Sequence, residues 1–145
     1  MSRPRLSTPQ TLDQKRASDA WAVVDRVARG DERARRQFGM QVKRMPARIM
    51  TSGLGQALAF LEAKDYAPDL RDALAEWIHR CRFRESAPTG PATAATTTPT
   101  SAPRLLERLI HGDADFQRFA TTECLAYLTW LVRFCDARQL IDSTD

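Results

Sequence analysis

A helical hydrophobic period runs through most of the chain and constrains its fold more than any other feature. It is clearest over residues 116–135, where apolar side chains recur every three or four positions. This spacing places them on one face of an α-helix. No stretch shows the sustained apolar–polar alternation of a half-buried strand. The sequence therefore predicts an all-α protein: a single compact bundle of about six to seven helices with no β-sheet.

Glycines, prolines and capping residues divide this pattern into separate helices. We expect helices over about residues 12–29, 32–45, 46–50 and 54–64, a fifth after Pro68, and two more over about 104–110 and from 113 or 115 to 138. The break at Pro46 is predicted because proline fits poorly inside a helix but well in its first turn. Trp21 and Trp77 fall on apolar helix faces, which predicts that both lie in the core.

The length of 145 residues fits one domain. We expect a disordered tail over residues 1–11, a single helical domain over 12–140 and a second tail over 141–145. Residues 86–103 are rich in proline, threonine and alanine and hold no large apolar side chain. Such a segment buries too little to offset its ordering entropy, so we expect a flexible insertion there.

Basic side chains are unevenly placed along the chain, whose net charge is +4. Residues 1–50 carry 12 basic and 5 acidic side chains, a net of +7. On the second helix a basic stripe (Arg33, Arg36, Lys43, Arg44, with Arg29 just before it) lies opposite the apolar stripe of Phe38 and Val42. Such a stripe suits a phosphate backbone or an acidic partner. The alternative is an ordinary solvated helix face.

Catalytic and metal-binding patterns are missing from the sequence. No catalytic or metal-ligand spacing includes His79 or His111, and the three cysteines (Cys81, Cys124, Cys135) match no disulfide or zinc spacing. We therefore predict no catalytic residue, no cofactor and no metal site. Free cysteines in apolar helices indicate a reducing compartment. With no secretory signal and no long apolar run, we expect a cytoplasmic protein without a membrane partner.

Three segments resemble a known family. Residues 44–61, RMPARIMTSGLGQALAFL, are similar to the signature of the small helical subunit of type III-B CRISPR effector complexes, the Cmr complexes. Arg16-Ala17 and residues 126–134, AYLTWLVRF, resemble the first and last helices of that family. Met45 and Ser52 depart from the leucine and asparagine usual there. The resemblance covers most of residues 15–138.

The resemblance implies a structural role in antiviral defence. In this family, copies stack into a filament beside the subunits that hold the guide RNA, and other subunits perform the catalysis. The implied partners are the other Cmr subunits, copies of the chain itself, and the guide RNA–target RNA duplex, bound independently of sequence. The alternative is a free-standing helical adaptor for an acidic protein partner. The candidate RNA-binding residues are Arg16, Arg33, Arg36, Lys43, Arg44, Arg48, Gln56 and Arg133.

Overall fold

A computed structural model describes residues 8–85 and 104–141, which form six helices and no strand. This confirms the all-α prediction. The predicted insertion over 86–103 and most of the two predicted tails lie outside the described residues. The helices are α1 (Leu12–Ala28), α2 (Glu32–Ser52), α3 (Leu54–Lys64), α4 (Pro68–Glu85), α5 (Leu105–His111) and α6 (Ala114–Ala137).

Polar residues before three of the helices cap their first turns. Thr11 forms a capping box at α1, in which its hydroxyl accepts a hydrogen bond from the backbone of Gln14 at 3.1 Å. Asp31 and Asp113 accept from the backbone amides of the first turns of α2 and α6, each at 2.8 Å. These side chains satisfy amides that have no partner within the helix, and so fix where each helix begins.

The core is built around the apolar face of α6, which packs against α1, α2 and α4. Its central side chains, Cys124, Tyr127, Leu128 and Leu131, are fully buried. The same helical period that predicts α6 also selects the face that it buries. No helix among residues 8–85 and 104–141 is long and apolar enough to cross a membrane.

The predicted break at Pro46 is wrong, because α2 continues through it to Ser52. Proline has no amide hydrogen, so the carbonyl of Val42 loses its usual helical partner. Met45 and Ile49, on either side of the proline, are both buried. Their burial against neighbouring helices compensates for the lost bond. The helix ends instead at Gly53, whose φ of 86° suits glycine.

The prediction of a buried Trp77 is confirmed, and that of a buried Trp21 is wrong. Trp77 stacks on Tyr127 with ring centroids 5.3 Å apart. Trp21 remains 45% exposed. It lies at the edge between α1 and α6, where its ring meets Phe134 edge-on at 5.1 Å and the Arg138 guanidinium at 5.6 Å. Helical periodicity assigns a face but cannot show how far a neighbouring helix covers that face.

Residues 139–141, here called the C-terminal hook, turn back from α6 onto α2. The turn uses Gln139 at a φ of 58° and a hydrogen bond from the Leu140 amide to the Cys135 carbonyl at 2.8 Å. The Leu140 backbone then lies directly against Gly39. A Cβ atom at Gly39 would stand 2.0 Å from the Leu140 carbonyl oxygen. The hook can therefore pack this closely on α2 only where the helix has a glycine.

We predict that Gly39→Ala destabilises the protein by about 1–3 kcal/mol, because the new methyl group displaces the backbone of the hook. Gly55→Ala is the matched control, since a Cβ there meets nothing within 4 Å. Removing a helical glycine at that open position should stabilise by about 0.5–1 kcal/mol. Urea unfolding measures both values. Equal effects of the two substitutions would contradict the close approach at Gly39.

Candidate nucleic-acid interface

A groove of about 980 Å³ is lined by the outer face of α2 and by the C-terminal hook, which packs on the same helix at Gly39. Four of its lining residues are cationic and one, Glu32, is acidic. Glu32 forms an ion pair with Arg36 at 3.2 Å, and both side chains are mostly exposed. The groove thus combines a concave shape with an excess of positive charge, which attracts polyanions. Its cationic lining residues are Arg35, Arg36, Lys43 and Arg44.

Three of the predicted RNA-binding residues meet in this groove. Arg36, Lys43 and Arg44 line it together, because positions seven and eight apart lie on the same face of a helix, two turns along. Arg33 is also exposed on α2 but does not line the groove. Arg29 belongs to the end of α1, where it pairs with Asp25 at 3.0 Å.

Arg35 is a groove residue that the sequence analysis missed. It is only partly exposed, and its Nε atom is buried without a hydrogen-bond partner among the described residues. On the helical projection, Arg35 falls between the apolar and basic stripes, so no local pattern selects it. Its role in the groove arises from the hook, whose residues 139–141 form the facing wall. That contact joins positions about 100 residues apart in sequence, and no motif predicts it.

Arg48 and Gln56 lie away from the groove, on the α2 and α3 side of the molecule. The Arg48 guanidinium donates to Gln41 at 2.9 Å and lies 4.0 Å above the Phe60 ring. Burial, and secondarily the charge of Arg44, lowers the pKa of Arg48 from its usual value. Gln56 is exposed in the first turn of α3. Arg48 therefore has a packing role between α2 and α3 whether or not it also meets RNA.

Arg133 and Arg16 lie on other elements. Arg133 is exposed on α6. The Arg16 side chain is only 18% exposed, and Glu123, which is 5% exposed, is its partner in a bidentate contact. The Arg16 Nε and Nη2 atoms donate to the two Glu123 oxygens at 2.8 and 3.1 Å. This internal ion pair joins α1 to α6, so the structure gives Arg16 a role within the fold.

The described residues offer little for catalysis. Among residues 8–85 and 104–141, no group of three histidine, cysteine or carboxylate side chains could hold a metal ion. All three cysteines are buried, and none of them forms a disulfide. Burial raises the pKa of Cys135 to about 12, and it also raises the pKa of Cys124. Both remain thiols at neutral pH, and thiols are poor nucleophiles compared with thiolates.

A family model describing CRISPR-associated Cmr5 proteins matches residues 12–138. The chain belongs to the Cmr5 family, the small subunits of type III-B CRISPR complexes. The match spans α1 to α6 and stops just before the C-terminal hook. It includes the segment 44–61, which covers the end of α2 and most of α3. No curated protein matches the chain.

Among solved structures, the Cmr5 fold of this chain is similar to that of a CRISPR-associated Cmr5 family protein from Thermus thermophilus. The TM-score is 0.67 and the sequence identity 24%. The alignment covers 92% of this chain and 100% of the Thermus chain. At 24% identity the similarity shows the fold alone, and this fold agrees with the family match.

For this Cmr5-family chain we predict that Arg16→Ala costs about 3 kcal/mol of stability, because it leaves the buried Glu123 carboxylate without its counter-charge. Arg36→Ala removes an exposed arginine of the groove and should change stability by less than about 0.5 kcal/mol. Urea unfolding of both variants measures the difference. A loss of stability no larger for Arg16→Ala than for Arg36→Ala would show that the ion pair does not hold α1 to α6.

Proposed function

We propose that this protein is a non-catalytic structural subunit of a cytoplasmic type III-B CRISPR effector complex, and that its basic groove contacts the guide RNA–target RNA duplex. The observation that carries the proposal is the convergence of Arg36, Lys43 and Arg44 on one groove, with Arg35 beside them. Membership of the Cmr5 family supplies the complex in which such a groove would act.

The chemistry of the groove suits a phosphate backbone. Arginine guanidinium groups bind phosphate oxygens through planar, paired hydrogen bonds, and lysine adds a point charge. Contacts of this kind position a duplex without reading its bases. In an RNA-guided complex base pairing supplies the specificity, so a sequence-independent support is sufficient. We propose Arg33, Arg48, Gln56 and Arg133 as more peripheral contacts, and assign Arg16 to the fold.

The triple substitution Arg36→Ala, Lys43→Ala and Arg44→Ala should weaken binding of a guide–target RNA duplex by the intact complex, equally for unrelated duplex sequences. The slope of log affinity against log salt should fall by about three, one for each lost phosphate contact. A filter-binding titration at several salt concentrations measures both effects.

A matched control removes the same charge elsewhere: Arg26→Ala, Lys64→Ala and Arg118→Ala, three exposed side chains outside the groove. It should leave the salt slope close to that of the wild type. If both triple variants lose affinity alike, the effect is one of net charge and the groove is not the contact. A loss confined to one RNA sequence would also contradict backbone binding.

We also propose that copies of the chain stack end to end in the complex. A filament requires head-to-tail interfaces that do not close into a ring. Large exposed apolar side chains supply contact area for such interfaces; Met50 at the end of α2 is 74% exposed and Ile110 at the end of α5 is 66% exposed. Exposed apolar groups of this size favour burial against a partner.

Reconstitution of the complex with and without this chain tests the structural role. We expect particles assembled without it to be shorter or less complete in electron micrographs, and to bind target RNA more weakly. Met50→Glu combined with Ile110→Glu should reproduce part of the defect, with Arg118→Glu on an exposed polar position of α6 as control. Unchanged particle length and RNA affinity without the chain would overturn the proposal.

A second candidate, an adaptor for an acidic protein segment, is favoured by one observation. The groove contains exposed Met40 and the partly buried Ile141 beside its cations, so it also suits an amphipathic partner. Gel filtration of the chain with the other protein subunits, in the absence of RNA, separates the two candidates. Binding that needs the groove arginines but no RNA would favour the adaptor.

A further inference from the structure

A second, smaller cavity of about 200 Å³ lies between the start of α1, the middle of α4 and α6. It shares no lining residue with the α2 groove. We call it the α1–α4–α6 pocket. Its walls include the apolar side chains of Leu12 and Phe119, and its polar lining comes from Lys15, Trp77, Arg80, Cys81 and Glu123.

Trp77, one of the residues that line this pocket, carries an unused hydrogen-bond donor. The residue is only 4% exposed, with one ring face stacked on Tyr127. Its Nε1 atom is buried and has no hydrogen-bond partner in the part of the chain that the structure describes. Buried tryptophan N–H groups normally find an acceptor, because leaving one unpaired costs free energy. A ligand that offers an acceptor at this position would recover that cost.

Glu123 brings a buried acceptor to the same pocket. Arg16 donates to both of its oxygens, and the Cys81 thiol lies 3.8 Å from Oε1. A carboxylate has about four acceptor positions. Arg16 fills two of the acceptor positions of Glu123 with strong hydrogen bonds, and the Cys81 thiol, a weak donor, fills a third. The carboxylate can therefore accept one further N–H. The residues that line the pocket thus include one unpaired donor, on Trp77, and one acceptor with spare capacity, on Glu123.

The size and charge of the pocket define the remaining features of a ligand. An apolar cavity of about 150 Å³ admits a benzene ring, so this one has room for a slightly larger planar ring. Phe119 and Leu12 provide apolar contact for such a ring. Lys15 and Arg80 add two cations to the lining; Arg80 is paired with Asp19 and, at 3.9 Å, with Glu76, and its side chain stays 54% exposed. They favour a ligand that carries an anionic group.

We infer that the α1–α4–α6 pocket binds a nucleobase carrying a phosphate. A nucleobase is a planar ring whose edge carries N–H donors and ring or carbonyl acceptors, which match Glu123 and Trp77. Its phosphate would lie against Lys15 and Arg80. Proteins read unpaired bases in this way, by edge hydrogen bonds and contact with apolar or aromatic side chains. The inference does not depend on the α2 groove.

Isothermal titration of the full chain with AMP, CMP, GMP and UMP tests the pocket. We expect saturable binding of at least one mononucleotide, with ribose 5-phosphate at least about tenfold weaker because it has the phosphate without the base. Equal binding of ribose 5-phosphate, or no saturable mononucleotide binding at millimolar concentration, overturns the inference.

Two lysine variants locate the binding. Lys15→Ala should weaken mononucleotide binding about fivefold to tenfold, whereas Lys64→Ala, an exposed lysine at the end of α3, should leave it unchanged. Trp77→Phe, which removes the N–H donor, should weaken it about tenfold. If Trp77→Phe does not fold, the comparison of Lys15→Ala with Lys64→Ala tests the pocket without it. Equal affinities of Lys15→Ala and Lys64→Ala would overturn the assignment.

Two further experiments identify where the base comes from and which cavity binds it. A single-stranded RNA hexamer that displaces the mononucleotide would identify an unpaired RNA base as the ligand, and failure to displace it would identify a free nucleotide. The triple variant Arg36→Ala, Lys43→Ala and Arg44→Ala should bind mononucleotide like the wild type. Loss of binding in that variant would place the nucleotide in the α2 groove and overturn the inference.

Discussion

Burial of the apolar face of α6 is the interaction on which the other features of this fold depend. The helix provides the surface on which α1, α2 and α4 pack. It also carries Glu123, the carboxylate that holds Arg16 of α1. Where α6 ends, the chain turns onto Gly39 and forms one wall of the basic groove. Both cavities of functional interest are therefore bounded by α6 or by the residues that follow it.

The arginines divide into two groups with different physical roles. Arg16 and Arg138 form ion pairs between α1 and the region of α6, the latter with Asp25 at 2.9 Å. Partly buried pairs of this kind fix the relative placement of helices. The arginines on the outer face of α2 instead project beside the groove with a single acidic side chain among its lining residues. The strongly basic N-terminal part of the chain is thus not one continuous surface.

Local physics accounts for what the sequence predicts well. Periodicity and caps locate most helices, because each helix buries one face and side chains cap the first turns of α1, α2 and α6. The same reasoning fails at Pro46, where burial of Met45 and Ile49 outweighs a lost hydrogen bond, and at Trp21, where coverage depends on a neighbouring helix. It finds the basic stripe of α2 yet misses Arg35 and includes Arg16. In both cases the deciding contact comes from a distant part of the chain.

The contact between Gly39 and Leu140 has a consequence for comparing relatives. The groove owes one of its walls to a backbone segment, so the identities of the side chains at 139 and 141 matter less to its shape than the residue opposite. A family member with a larger residue in place of Gly39 has no room for that segment and must carry its chain end elsewhere. A residue larger than glycine at this single helix position therefore marks, from the sequence alone, a small subunit without this wall of the groove.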